Sequence, residues 1–215
     1  MAHPTPEARL PSKMKKMKRF LLLAIPALLA ADPLTQGERD RAMSALHAGR
    51  KALADAVAGL SDAQTKFKAA PERWSIADIT EHLAATEGFL MGFHHNTLKQ
   101  AAAPEKRELA KGNDEKILKS VASRDNKVQA PPPLAPKSTF PSVAAALAAF
   151  NSERKKTILY VETTPAPMRD HFADNMGPDG KPADAYQIVL LLAAHTDRHV
   201  AQINEVKAEP GYPKK

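Results

Sequence analysis

Three histidines in two separate segments of the chain have the spacing of a metal site. His195 and His199 lie four residues apart in the segment His195-Thr-Asp-Arg-His199, and His82 lies far earlier in the chain. On a helix, residues at i and i+4 share one face with their Cβ atoms about 6 Å apart, so both imidazoles can reach one ion. This spacing alone is a weak indication, because hydrogen-bonded core histidines show it as well.

The faces on which these histidines lie are more informative than their spacing. The later stripe, read in steps of three and four, consists of Ile188, Leu192, His195, His199 and Ile203. The earlier stripe consists of Ile79, His82, Thr86, Phe89 and Phe93. Both stripes are largely apolar and are predicted to face inward, where neutral imidazoles need hydrogen bonds or a metal. Three inward histidines fit a metal site with open positions for water or substrate. The alternative is a structural bundle in which the histidines hydrogen-bond one another.

Supporting roles are predicted for three other residues. Asp78, one turn before His82, could orient that imidazole, although capping the helix is the alternative. Gln202, three residues after His199, could hydrogen-bond a ligand or a water molecule. Arg154 could reach inward to anchor an anionic substrate, but a solvated surface position fits equally well. Other charged neighbours are predicted to form surface or interhelical pairs: Glu81, Asp197 and Arg198. The sequence identifies no catalytic acid or base.

Four long amphipathic helices are predicted to position these residues, at about 35–60, 75–103, 142–163 and 183–207. Ser75 is a suitable N-cap, with Asp78 three residues later in a near capping box. A long crossover, 104–140, separates the second helix from the third; it contains the Pro131-Pro-Pro133 run and a candidate short helix at 113–122. No segment predicts a strand. We therefore expect an all-α fold, a four-helix bundle.

The N-terminal segment has the pattern of a secretory signal. A basic cluster, Lys13-Met-Lys-Lys-Met-Lys-Arg19, precedes an apolar run from Phe20 to Ala31. A buried amphipathic helix is the alternative. The run is shorter than the roughly 20 apolar residues of a membrane span. We expect a signal peptide at 1–31, cleaved at a weak site near Ala31 or Asp32, and a bundle domain at 32–215. The protein is therefore predicted to be periplasmic or extracellular.

Charge and cysteine content exclude several classes of function. The formal net charge is +7, but it falls to +2 when residues 1–30 are left out of the count. The basic character therefore comes mainly from the leader, which disfavours a nucleic-acid surface. No cysteine is present. Disulfides, thiolate metal ligands, a cysteine nucleophile and a bacterial lipid anchor are therefore excluded.

Two segments resemble the signatures of the DinB-like superfamily. Arg73-Trp-Ser-Ile-Ala-Asp-Ile-Thr-Glu-His-Leu-Ala84 is similar to its N-terminal motif, and Leu191-Leu-Ala-Ala-His-Thr-Asp-Arg-His-Val-Ala-Gln-Ile203 to its C-terminal motif. The resemblance covers roughly residues 36–212. It implies an up-down-down-up four-helix bundle. It also implies metal ligands at His82, His195 and His199, and a divalent transition metal such as zinc or nickel.

The resemblance implies several activities rather than one. Members include thiol-dependent S-transferases, a mycothiol-dependent isomerase and proteins described as metal-dependent hydrolases. For this chain we expect an exported metal-dependent hydrolase or transferase acting on an unidentified small molecule. The alternative is a stress-related bundle that binds a metal or ligand without turnover. No nucleic-acid partner and no stable membrane span are expected, and a homodimer is compatible with the sequence.

Overall fold

The computed structural model describes residues 1–3, 33–125 and 127–214. Nearly all of the predicted signal peptide, with its cleavage site, lies outside these residues, so export stays a prediction. Within the described ranges, no helix has both the length and the apolar content that crossing a membrane would require.

The described residues form seven α-helices, of which four are long. They are α1 (Gln36–Val57), α2 (Asp62–Lys66), α3 (Ile76–Leu98), α4 (Arg107–Ala110), α5 (Asp114–Ala122), α6 (Val143–Thr163) and α7 (Ala185–Ala208). The long helices α1, α3, α6 and α7 confirm the four predicted ones, and α5 confirms the short helix predicted within the crossover. The sequence did not predict α2 and α4. The α3 helix ends at Leu98, before the expected end near 103, and Pro104 begins a separate 3₁₀ turn.

The contacts at the helix ends fix the direction of each long helix. The pairs in contact are Arg39 with Val161, His94 with Ala185, and Tyr186 with Glu38. The start of α1 therefore meets the end of α6, the end of α3 meets the start of α7, and the starts of α1 and α7 lie together. The bundle runs up-down-down-up, as the family resemblance implied.

Local capping interactions set where the site-bearing helices begin. Ser75 and Asp78 form a reciprocal capping box at the start of α3, and Asp184 and Gln187 form another at the start of α7. Each box satisfies backbone N–H groups that have no partner within the helix. Losing such a cap typically costs about 1 kcal/mol. The boxes therefore help to fix the rotation of the two helices that carry the histidines.

A small β-ribbon joins α6 to α7, so the prediction of no strand was wrong. Strand β1 (Phe172–Ala173) pairs antiparallel with β2 (Ala183–Asp184). Two-residue strands are too short to show the alternation by which sequence analysis detects strands. The intervening turn requires Gly177, because a Cβ atom there would lie 2.8 Å from the carbonyl oxygen of Pro182. The ribbon ends at Asp184, the residue that caps α7.

His94 is a fully buried histidine near the end of α3. Its Nδ1 donates to the carbonyl of Ala185 at 2.9 Å, and its Nε2 lies 3.1 Å from the hydroxyl of Tyr160. Burial, with a smaller contribution from nearby His95, lowers the pKa of His94 to about 4 against the opposing effect of the Ala185 carbonyl. Between about pH 4 and pH 6.5, the imidazole is therefore neutral in the folded protein, whereas the unfolded chain, in which its pKa is about 6.5, binds a proton.

This difference predicts an acid-dependent loss of stability. The contribution of neutral His94 is complete above about pH 6.5 and is lost as the pH falls towards 4, because only the unfolded chain takes up the proton in that window. We expect His94 to account for about 2 kcal/mol of the stability lost between pH 7.5 and pH 5. Urea unfolding of wild type and His94→Gln at both pH values measures this difference. Equal losses in the two proteins would refute the assignment.

Candidate metal centre

Three imidazoles from α3 and α7 converge inside the bundle. The Nε2 atom of His195 lies 3.3 Å from Nε2 of His82 and 3.1 Å from Nε2 of His199. Ligand nitrogens of all three residues lie within 4.8 Å of one another. Nitrogen ligands about 2.0–2.1 Å from a tetrahedral ion are roughly 3.3 Å apart. The cluster therefore has the dimensions of a divalent transition-metal site.

The outer nitrogens of two imidazoles are held by hydrogen-bond acceptors. Nδ1 of His82 donates to the carbonyl of Leu134 at 2.8 Å, and Nδ1 of His199 donates to Oε1 of Gln202 at 2.8 Å. With the protons on Nδ1, both Nε2 atoms direct a lone pair at the centre of the cluster. A proton on Nε2 of His195 could satisfy only one of these lone pairs. A cation satisfies all three nitrogens, so the donor set favours a metal over histidines that bond one another.

Burial keeps these imidazoles neutral. It lowers the pKa of His82, and with the neighbouring His82, Arg198 and Arg154 it lowers that of His195 to about 3. Burial and the two other histidines lower the pKa of His199 to about 2. Neutral imidazole is the form that binds a metal. The three side chains therefore present free lone pairs at neutral pH.

Trp74 packs directly on the histidine cluster. Its ring lies 4.9 Å from the ring of His82 and is stacked 6.2 Å from that of His199, as measured between centroids. In the sequence, Trp74 stands out only as part of the motif shared with the DinB-like superfamily, and nothing in the pattern indicates that it packs against the candidate ligands. An indole in this position excludes water from one side of the cluster.

Two of the three predicted supporting residues, Gln202 and Asp78, have different roles. Gln202 makes the contact with His199 that such a role requires. Asp78 instead closes the capping box with Ser75 and forms an ion pair with Lys68 at 2.8 Å. The capping alternative therefore describes Asp78, and the crossover carbonyl of Leu134 orients His82. Sequence analysis missed Leu134, because the acceptor is a backbone carbonyl far along the chain with no recognisable side chain.

Arg154 reaches inward, so the surface alternative was wrong. Its side chain is 0% exposed and makes a bidentate ion pair with Glu87, with N···O distances of 2.6 and 2.8 Å. It also donates to the carbonyl of Leu46 and the hydroxyl of Thr196. Glu87 already accepts hydrogen bonds from two nitrogens of the guanidinium. An anionic substrate could therefore bind Arg154 in the predicted anchoring role only if this ion pair were broken.

Glu81 holds the crossover rather than forming the predicted surface or interhelical pair. Its Oε1 accepts from the backbone N–H groups of Lys137 and Thr139 at 2.9 and 3.1 Å and from the Thr139 hydroxyl at 2.8 Å. Burial alone would raise the pKa of Glu81, but these donors hold it below its usual value. Sequence analysis missed this contact, because nothing in the pattern pairs 81 with 137–139.

The crossover is also bound to α7, through Ser123 and Arg124. Arg124 makes a bidentate ion pair with Glu205, with N···O distances of 3.0 and 2.9 Å. Arg198, next to the candidate ligand His199, donates to the carbonyl of Ser123. The crossover is therefore attached to both helices that carry the histidines: to α7 through Ser123 and Arg124, and to α3 through Glu81 and His82.

Comparisons with known proteins agree with this architecture. The family model of the DinB superfamily matches residues 45–203, which include all three histidines. A solved structure, YfiT from Bacillus subtilis, is described as a probable metal-dependent hydrolase with an unusual four-helix bundle topology. It matches with a TM-score of 0.53 and 17% identity over 81% of this chain and 88% of its own, which shows a shared fold. No curated protein matches the chain. Because the family model spans most of the chain, the protein belongs to the DinB superfamily.

Proposed function

We propose that the protein is a metal-dependent hydrolase, and that it binds one divalent transition ion, zinc or nickel, through Nε2 of His82, His195 and His199. The observation that carries this proposal is the convergence of three neutral imidazoles, whose Nε2 atoms lie 3.1 and 3.3 Å apart and can all bind one cation at the same time. The solved relative described as a probable metal-dependent hydrolase supports the same class of reaction.

The side chains around the cluster have definite tasks in this proposal. The Leu134 carbonyl and the Gln202 amide oxygen hold the Nδ1 protons, so the imidazoles keep one orientation. Trp74 shields one side of the cluster from water. An ion bound there would supply Lewis-acid chemistry, polarising a substrate oxygen and lowering the pKa of water. With three protein ligands, further coordination positions are available for substrate and water.

One observation favours a second candidate, a metal- or ligand-binding protein without turnover. The polar side chains that touch the histidines are already engaged: Gln202 accepts from His199, and the hydroxyl of Thr86 donates to the carbonyl of His82 at 2.7 Å. Neither is a carboxylate that could act as a general base. The two candidates therefore differ in turnover, not in metal content.

Hydrolysis assays separate these two candidates. Zinc- and nickel-loaded wild type would be tested against a panel of small esters, amides and phosphoesters, each reaction adding water across the cleaved bond. We expect at least one class to react about 100-fold faster than with His195→Ala, because the metal supplies the Lewis acid. Chelation should abolish the excess rate, and readdition of the ion should restore it. Wild type that holds one ion per chain yet reacts no faster than the variant would support the non-catalytic alternative.

Export is a separate proposal, carried by the basic cluster and apolar run of residues 1–31. We expect the protein produced in a bacterial host to leave the cytoplasm and to begin near Ala31 or Asp32. N-terminal sequencing of fractionated protein tests this. Full-length chain retained in the cytoplasm, with its leader intact, would contradict export without affecting the metal site.

A further inference from the structure

Adjacent residues of α3 bind two parts of the crossover. Glu81 accepts hydrogen bonds from Lys137 and Thr139, and His82 donates through Nδ1 to the carbonyl of Leu134. Leu134 closes the 3₁₀ turn Pro132–Leu134 and is buried. The segment 134–139 is therefore held by α3 at both of its ends, once through a carboxylate and once through a candidate metal ligand.

The contact at Glu81 depends on an unusual backbone conformation. Ser138 has a φ of 55°, in the left-handed region that residues other than glycine rarely adopt. This conformation turns the N–H groups of Lys137 and Thr139 toward the same oxygen of Glu81, as in the backbone nests that bind anions. The Glu81 carboxylate therefore stabilises this turn by accepting hydrogen bonds from its backbone N–H groups.

We propose that Glu81 is a positioning residue for the metal centre. It fixes the end of the crossover, so that the Leu134 carbonyl lies where it holds the proton of His82 on Nδ1 and leaves Nε2 free toward His195. This inference rests on the proposed metal binding and adds to it a role for a residue that is not itself a ligand.

Prolines on both sides of Leu134 restrict the backbone of the crossover. Pro136 lies between Leu134 and the turn at Ser138, and Pro132 and Pro133 precede Leu134. Because the Pro136 ring fixes its own φ, fewer backbone torsions between the turn and Leu134 can absorb a displacement of the turn, and we expect part of that displacement to reach the Leu134 carbonyl. Without that acceptor, His82 is free to carry its proton on Nε2, the nitrogen that the metal needs.

Two measurements on the full chain test this role. Imidazole ¹⁵N NMR of the metal-free protein reads the tautomer of His82, and chelator competition gives the zinc Kd. We expect wild type to show the Nδ1–H form and Glu81→Ala to show a mixture, with a Kd about 10–100-fold higher. Glu81→Gln should lose less affinity, because its amide oxygen still accepts from the backbone N–H groups.

A matched control separates positioning from general destabilisation. Asp170 is a buried carboxylate that forms an ion pair with Arg107, the first residue of α4, and so tethers a different part of the crossover. Asp170→Ala should weaken folding and leave the zinc Kd and the His82 tautomer unchanged. Trypsin provides a third readout, because exposed Lys137 should be cut faster in Glu81→Ala than in wild type or the control.

The outcomes distinguish this inference from the proposed function. Wild type that binds no zinc would overturn both. Wild type that binds zinc while folded Glu81→Ala keeps the same Kd and the same tautomer would overturn the positioning role alone. An equal rise in Kd for Glu81→Ala and Asp170→Ala would also overturn it, because the effect would then follow stability.

Discussion

Replacing Arg154 by alanine should lower the free energy of unfolding by about 3–5 kcal/mol, because it leaves the carboxylate of Glu87 buried without its cation. The two side chains are 0% and 2% exposed, so water cannot replace the lost partner. Glu87→Ala should cost a similar amount by stranding the guanidinium. Urea unfolding of the metal-free proteins measures both effects.

The location of this ion pair explains the size of the effect. Arg154 of α6 binds Glu87 of α3, the carbonyl of Leu46 in α1 and the hydroxyl of Thr196 in α7, so one guanidinium joins α6 to the three other long helices. Thr196 also immediately follows His195. Loss of the pair should therefore loosen the packing of the two helices that carry the candidate ligands.

A double variant provides the control for this prediction. In Glu87→Leu with Arg154→Met, both charges are replaced by apolar side chains of roughly similar volume, and such exchanges are often close to neutral. We expect the double variant to be more stable than either alanine variant. A loss below about 1 kcal/mol for Arg154→Ala would show that the pair contributes little to folding.

Saturating zinc should raise the Tm of the wild-type protein by roughly 10 °C. A ligand that binds only the folded state contributes about 4 kcal/mol at a thousand times its Kd. For a chain of this size, each kcal/mol shifts the Tm by about 2–4 °C. His82→Ala, His195→Ala and His199→Ala should each remove most of the shift, because each removes one of three ligands. Thermal unfolding with and without zinc is the measurement.

His47→Ala is the matched control for the zinc shift. His47 is an exposed histidine of α1 and does not belong to the cluster of His82, His195 and His199. Its removal should leave the shift intact. A shift that persists in all three ligand variants, or that disappears in His47→Ala, would place zinc binding elsewhere on the protein.

The helical pattern and the family resemblance together predicted where the candidate ligands meet. The predicted stripe on α3 is not buried along its whole length, since Phe89 is 51% exposed. The three histidines themselves lie on helices long enough for periodicity to place them on inward faces. Residues separated by long stretches of sequence could therefore be assigned to one point of the bundle. The directions of the helices came from the family resemblance, and the contacts of α1 with α6 and α7 agree with them.

The contacts that surround the cluster could not be predicted in the same way. The acceptor for His82 is the backbone carbonyl of Leu134, and the donors to Glu81 are backbone N–H groups arranged by the positive φ of Ser138. Backbone groups have no side-chain signature, and an irregular crossover has no period. The burial of Arg154 could not be predicted either. It depends on the partner Glu87, which faces Arg154 from another helix, and the sequence does not show that these two residues meet.

Elemental analysis of the purified protein, beside His195→Ala, shows whether three imidazoles share one metal ion. We expect close to one divalent transition ion per wild-type chain and a much lower content in the variant, because only two ligands remain. Equal metal content in the two proteins, or none in wild type after growth and purification with zinc and nickel supplied, would contradict the shared site.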